Sequence, residues 1–345
     1  SPGYKPSNKL PYAMDFNFSL QRQLSSNTVL TVAYVGTQGR KLFSQYESNP
    51  GNAALCASLR GSGVMAGTLQ CGANQEDSTF TLPNGNLVYG TRTNFPCTVQ
   101  PCPDFSQNTY LATVANSDFN SMQVTLERRG RNMTFLAAYT LSKSLDDASS
   151  YNTTMDFYNF ALARGLSTFD VTNNFVVSYS YTLPFYKFGS LPKRLTDGWT
   201  INGITRAASG LPVSLSESGD RSWTGAGGVD RPNYVGGLVV TNNVRNTPNQ
   251  QDFNKSAFTA EALGGQGTSD PRFFHGPGQV NFDLGLQKTI PLHESMNMMI
   301  RAEFFNAFNH ANFLNPNGNF ASSLFGRVTS AGPGRVGQVA MKFSW

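Results

Sequence analysis

Nine stretches of this 345-residue chain alternate apolar and polar side chains one by one. A period of two sends successive side chains to opposite faces, which is the habit of a strand with unlike surroundings on its two sides and not of a helix. The stretches fall at about 12–20, 30–34, 122–126, 133–141, 175–183, 199–203, 280–286, 296–304 and 337–345. In the first, Tyr12, Met14, Phe16, Phe18 and Leu20 alternate with Ala13, Asp15, Asn17 and Ser19. In the last, GQVAMKFSW, Val339, Met341, Phe343 and Trp345 alternate with Gln338, Ala340, Lys342 and Ser344.

The connections alternate as well. Tight turns (LSSN, RGRN, PLHES) or the medium YKFGSLPKRLTDG join strands pairwise, and long segments at 37–117, 144–171, 214–278 and 309–334 separate the pairs. Short then long is the rhythm of an antiparallel transmembrane β-barrel with short periplasmic turns and long extracellular loops. A soluble sandwich has shorter and more even connections. Charged residues are only 14% of the chain, against roughly 25% in ordinary soluble proteins, while aromatics reach 12%. No run approaches the roughly 20 apolar residues of a membrane-spanning helix.

The placement of charge fits a lipid-facing stripe. Asp15, Glu127, Arg206, Asp283, Arg301, Glu303 and Lys342 all fall on the polar parity of their strands. Arg22, Arg128, Lys143 and Lys288 share the apolar parity but stand at strand ends, where a long cationic side chain reaches lipid phosphates. With short turns in the periplasm, the ninth strand runs inward and ends there, with Trp345 as an interfacial anchor. The first visible strand also runs inward, and bacterial single-chain barrels have even strand counts. The expectation is therefore the C-terminal part of one larger barrel of the bacterial outer membrane, contributing about nine or ten long strands. SPGYKPSNKL lacks the basic start and apolar stretch of a signal peptide, so Ser1 is expected to be a cut end.

Several segments are familiar as a set. GITRAASGLPVS, RPNYVGG, FNKSAF, FLAAYTLSKSLDDAS and RAEFFNAFNHANF followed by FGRVTSA occur in that family's order and cover nearly the whole chain. They resemble the C-terminal half of Oar-like TonB-dependent outer-membrane receptors, which carry a carboxypeptidase-regulatory-like domain, a plug and a wide barrel. The resemblance implies energised uptake of a large solute (glycan, peptide or chelate), with partners in outer-membrane lipid, an extracellular ligand, the barrel-assembly machinery and the inner-membrane TonB complex. The last would act through a plug that has no counterpart in these residues. It also implies a barrel-insertion signal at Gly337, Val339, Met341, Phe343 and Trp345; a terminal Phe is more usual than Trp. Rival readings are an outer-membrane adhesion barrel without active transport and an outer-membrane hydrolase.

Chemistry beyond this is sparse. The three histidines are His275, His293 and His310, and His293-Glu294 does not continue to HExxH, so neither an enzyme nor a metal cofactor is expected. Asp146, Asp147 and Asp156 lack the spacing of a calcium loop and read as solvated acids. The net charge of +5 is scattered, with no basic tract beyond ERRGR, and nucleic acid is not an expected partner. Cys56, Cys71, Cys97 and Cys102 lie in one polar stretch and match no zinc spacing, which points to two disulfides in an oxidising compartment. Of three pairings, the local one is Cys56–Cys71 with Cys97–Cys102. Asp15, Glu127, Arg206, Asp283, Arg301 and Glu303 are candidate lumen contacts for a plug or substrate, or a network that hydrates the wall. The loop aromatics Tyr151, Phe157, Tyr158, Phe160, Trp223, Phe273 and Phe274 could catch a ligand, although packing between loops is the plainer role.

Overall fold

A computed structural model describes residues 3–93, 106–185, 192–241, 244–293 and 296–345. Nine long strands follow in chain order: β1 (Tyr12–Ser25), β2 (Thr28–Glu47), β3 (Thr109–Arg129), β4 (Met133–Asp146), β5 (Asn173–Thr182), β6 (Trp199–Ala208), β7 (Gln279–His293), β8 (Met296–Phe305) and β9 (Val336–Ser344). Each pairs antiparallel with the next, so the order in space is the order in sequence. Three two-residue segments, Gly3–Tyr4, Thr154–Met155 and Gly165–Leu166, complete a twelve-stranded sheet. The fold is all-β, as the alternation requires.

Register keeps the stripes in line. Phe18 stands opposite Tyr34, Tyr34 opposite Met122, and Met122 opposite Leu141. Further along, Phe175 pairs with Tyr139, Ile201 with Leu286, and Ile300 with Met341. A slip of one residue would exchange the two faces of a strand, so this agreement across all nine is a property of the whole sheet.

Among the described residues, no apolar core covers the apolar side, and no buried apolar residue comes from β1 or from β4 to β9. Met14, Phe16, Phe18, Leu20, Tyr34, Met122, Phe175, Leu286, Phe304, Met341 and Phe343 are all exposed. Soluble monomers rarely expose contiguous apolar patches beyond a few hundred Å². A face that is apolar along nine strands is matched by acyl chains.

The hydrophobic core lies instead in the long connections, which fold together at one end of the sheet as a cap. Their bounds differ from those the alternation alone implies. The first runs over 48–108, not 37–117, because β2 continues to Glu47 and β3 starts at Thr109. Bulges between Gly39 and Phe43 break the period there and hide the strand from a pattern reading. The other three run over 147–172, 209–278 and 306–335. In the first, α1 (Ala53–Gly61) is capped by Asn52, whose side chain accepts from the Leu55 amide at 3.0 Å. At the opposite, short-turn end, α2 (Lys193–Thr196) lies between β5 and β6.

Candidate functional site

The face of the sheet opposite the apolar stripe carries the polar parity. Asp15, Glu127, Arg206, Asp283, Arg301 and Glu303 project from this face, and each meets a neighbour. Thr37 donates to Asp15 at 2.7 Å, Arg206 Nε donates to Asn174 at 3.1 Å, and Arg129 pairs with Glu127. Asp283 accepts from Asn281 at 2.8 Å and from the Asn306 amide at 2.9 Å. Arg301 lies 3.2 Å from Glu303, two residues on along β8, and Gln338 of β9 donates to the same carboxylate at 2.6 Å.

Between β3 and β8 this face forms a cup of about 550 Å³. Glu127, Asp283, Glu303, Arg129, Ser178, Ser180 and Asn202 supply its polar groups, and Leu136 and Ile204 its apolar floor. The cup brings together three of the six charges; Asp15, Arg206 and Arg301 do not line it. Paired charges and amides on a concave wall can hold water, another polar protein surface or a polar solute by hydrogen bonding.

Ionic clamps stitch the cap to the strand ends. Asp118 is held between Arg40, at 2.7 Å, and Arg164, which also reaches Asp147 at 3.1 Å. Arg272, from the third excursion, pairs at 2.9 Å with Asp146 at the end of β4, and both are buried. The acids of SLDDAS are therefore not solvated: Asp146 and Asp147 are tied to arginines, and Asp156 is buried and accepts from the Tyr158 and Asn159 amides. Spacing alone does not show this: the Asp146 partner lies 126 residues on, and Asp156 is held by backbone amides.

Two apolar clusters fill the cap. Val213, Leu215, Val239, Phe253, Phe258, Phe274 and Phe325 bring the third and fourth excursions together. Cys56, Leu59, Val64, Cys71 and Phe80 of the first excursion close around Trp223 of the third. A disulfide joins Cys56 to Cys71. Cys97 and Cys102 lie outside the described residues. Among the loop aromatics, Trp223 and Phe274 are core residues, and Phe273 packs on the same cluster as Phe274. Phe157 and Phe160 pack on Tyr46, with centroids 5.9 and 5.3 Å away. Tyr151 and Tyr158 remain exposed, and the Tyr158 hydroxyl donates to the Gly51 carbonyl at 2.9 Å.

Sequence patterns give no hint of the buried acids inside the cap. Glu217, Asp230 and Glu261 are buried close together, and neither Glu261 oxygen has a hydrogen-bond partner. Burial, then the nearby Asp230 and Glu217, pushes the Glu261 carboxyl up to about 8. Burial and a hydrogen bond with Asp220 raise Glu76 to about 7, and burial raises Asp252 to about 6. Among the described residues, no three His, Cys, Asp or Glu side chains converge as a metal ion requires.

His275 is not arranged as the base of a triad. Its Nε2 meets Asp170 at 2.8 Å and Thr172 at 3.4 Å, so one nitrogen faces both partners. A relay needs the carboxylate on one ring nitrogen and the nucleophile on the other. His310 Nδ1 contacts Asn312 at 3.3 Å.

No curated protein matches the sequence. Among solved structures, the outer membrane transporter YddB from Escherichia coli aligns with a TM-score of 0.47 at 10% identity, over 99% of this chain and 33% of that one. The ferripyoverdine receptor of the outer membrane of Pseudomonas aeruginosa aligns with a TM-score of 0.43 at 10% identity, over 99% and 28%. The chain thus spans about a third of the length of these structures. The family model described as outer membrane beta barrel domain matches residues 2–338, so the chain belongs to that family and resides in the bacterial outer membrane.

Proposed function

We propose that residues 1–345 are the C-terminal part of the barrel of an Oar-like TonB-dependent receptor. The cap and the polar inner wall take up a large extracellular solute, and a plug inside the barrel couples uptake to the inner-membrane TonB complex. In this arrangement the short turns face the periplasm and the cap faces outward. Glu127, Asp283 and Glu303 meet the plug or the passing solute, and the terminal stripe from Gly337 to Trp345 is read by the barrel-assembly machinery.

The observation that carries the reading is the form of the sheet. β1 and β9 stand at the two ends of the strand order, with no ladder between them among the described residues. Bare edges are a liability, and additional strands that joined them would give a wider barrel than nine strands can. A wide lumen is large enough to hold a plug. The polar cup on its wall supports the same reading.

The test uses the intact protein in its outer membrane. Accumulation of labelled glycan, peptide or chelate should require the gene and fall to background with an uncoupler of the inner membrane. Uptake that survives the uncoupler sinks energised transport. The coding sequence upstream of Ser1 should encode a plug and further strands. The exposed Tyr151 and Tyr158 on a densely cored cap favour a second reading, surface adhesion. Loss of adhesion on gene deletion with unchanged uptake would select it.

A further inference from the structure

Lys288 stands on the lipid-facing parity of β7, opposite Trp199 of β6 and Ile300 of β8. Such a lysine near the short turns is expected to extend to the headgroups. Instead it is buried. Its ammonium lies 5.2 Å from the Trp199 ring centroid, donates to the Leu195 carbonyl at 3.1 Å and also bonds the Asp197 carbonyl. Trp199 Nε1 donates to the same Leu195 carbonyl at 2.8 Å. Two side chains from the lipid-facing side of adjacent strands thus hold the end of α2, so α2 lies over the membrane face and not over the lumen.

What α2 then presents is mixed in character. Lys193, Arg194 and Leu195 are exposed, and among the described residues no hydrogen bond or ion pair holds either cation. The neighbouring rim is basic: Arg22 and Arg128 share the lipid-facing parity at the same end. Among the described residues, the acids at this end are Glu127, paired with Arg129, and Asp197. A short segment with an apolar side chain directly after two exposed cations, fixed to a hydrocarbon-facing wall near the short turns, has the form of an interfacial anchor.

We propose that residues 192–199, clasped by Lys288, form a binding surface for an anionic phospholipid headgroup in the leaflet at the short-turn end. Lys193 and Arg194 take the phosphate charge, and Leu195 enters the acyl boundary. Lys288 supplies no contact to the lipid; it neutralises the helix-end carbonyls and holds the segment in place. The proposal rests on membrane residence and is independent of transport.

The test is binding of spin-labelled phosphatidylglycerol to the full chain in detergent micelles. Each basic residue near an anionic surface contributes about 1 kcal/mol, so Lys193→Gln with Arg194→Gln should weaken binding roughly thirtyfold. Wild-type binding should weaken with salt and exceed that of phosphatidylcholine. Inorganic phosphate at equal concentration should not compete. Both substituted side chains are exposed, so heat-modifiable migration of the variant should match wild type; where it does not, the salt and headgroup comparisons on wild type decide. Equal affinity of a folded variant, salt-independent binding, equal binding of phosphatidylcholine, or competition by free phosphate would each overturn the proposal.

Discussion

The ring of Tyr179 lies across Gly203, its registered partner on the next strand. A Cβ added at Gly203 would stand 2.5 Å from both Cζ and Oη of the tyrosine. The same pairing recurs at Phe16 over Gly36 and Phe304 over Gly337. Along a wall with no apolar core on its outside, an aromatic laid over a glycine fills the gap between strands and fixes the register.

Substitution of Gly203 should therefore act through Tyr179. Gly203→Val pushes the ring off the wall and should cost about 1–3 kcal/mol, the usual range for overpacking. Tyr179→Ala together with Gly203→Val should recover part of the loss. Denaturant unfolding of the full chain in micelles reads both; an unchanged midpoint for Gly203→Val would discard the role of the pair.

The buried acids make cap stability depend on pH. Glu261 titrates near 8 in the folded cap against an ordinary 4.5, and Glu76 near 7. A folded state that holds protons more tightly than the unfolded one is favoured at low pH. Its advantage is complete below about 4.5 and is lost as pH rises through about 8, by up to about 1.4 kcal/mol per pH unit for each such group. Trypsin should cut the 209–278 segment faster at pH 9 than at pH 5 after correction for the enzyme's own profile. Glu261→Gln, which stays neutral, should flatten that slope. An unchanged slope would remove Glu261 as its source.

The membrane wall was legible in the sequence because period two is local and each strand carries its own record of inside and outside. All nine alternating stretches became strands, in order, and each turn pairing followed. The cap was not legible. Trp223 reads as a loop aromatic, yet it fills the core built by Cys56, Leu59 and Phe80 some 150 residues earlier. Arg272 is an isolated cation whose partner, Asp146, lies 126 residues away. The site was legible only as a face: alternation assigned the six inner charges to one side, but strand pairing decides that Glu127, Asp283 and Glu303 share a cup while Asp15 stands apart.

Arg272 tests whether that long-range clamp holds the cap. Arg272→Met leaves Asp146 buried with only the Ser149 hydroxyl, 2.7 Å away, and removes a bond to the Leu166 carbonyl. Breaking a buried pair on one side typically costs about 3–5 kcal/mol. Protease added to whole cells should then nick the third excursion in the variant and spare wild type. Replacing both members, as Arg272→Met with Asp146→Leu, should restore part of the protection, since no lone buried charge remains. Equal nicking of wild type and Arg272→Met would separate the pair from cap stability.

The last strand allows the two faces to be exchanged without altering composition. Met341 lies on the outer parity opposite Ile300, and Lys342 on the inner parity opposite Met299. Met341→Lys combined with Lys342→Met keeps charge, volume and length nearly constant, yet moves the ammonium from the lumen side to the lipid side. A lysine at mid-membrane depth on the lipid face costs roughly 2–4 kcal/mol, falling toward zero at the interface. Lys342→Met alone leaves the outer stripe intact and should be mild. The double variant should reach the outer membrane at a lower level and lose heat-modifiable migration at lower temperature than either wild type or Lys342→Met. If the swap and wild type assemble equally and melt together, the apolar stripe does not face lipid, and membrane residence would have to rest on some other surface of the chain.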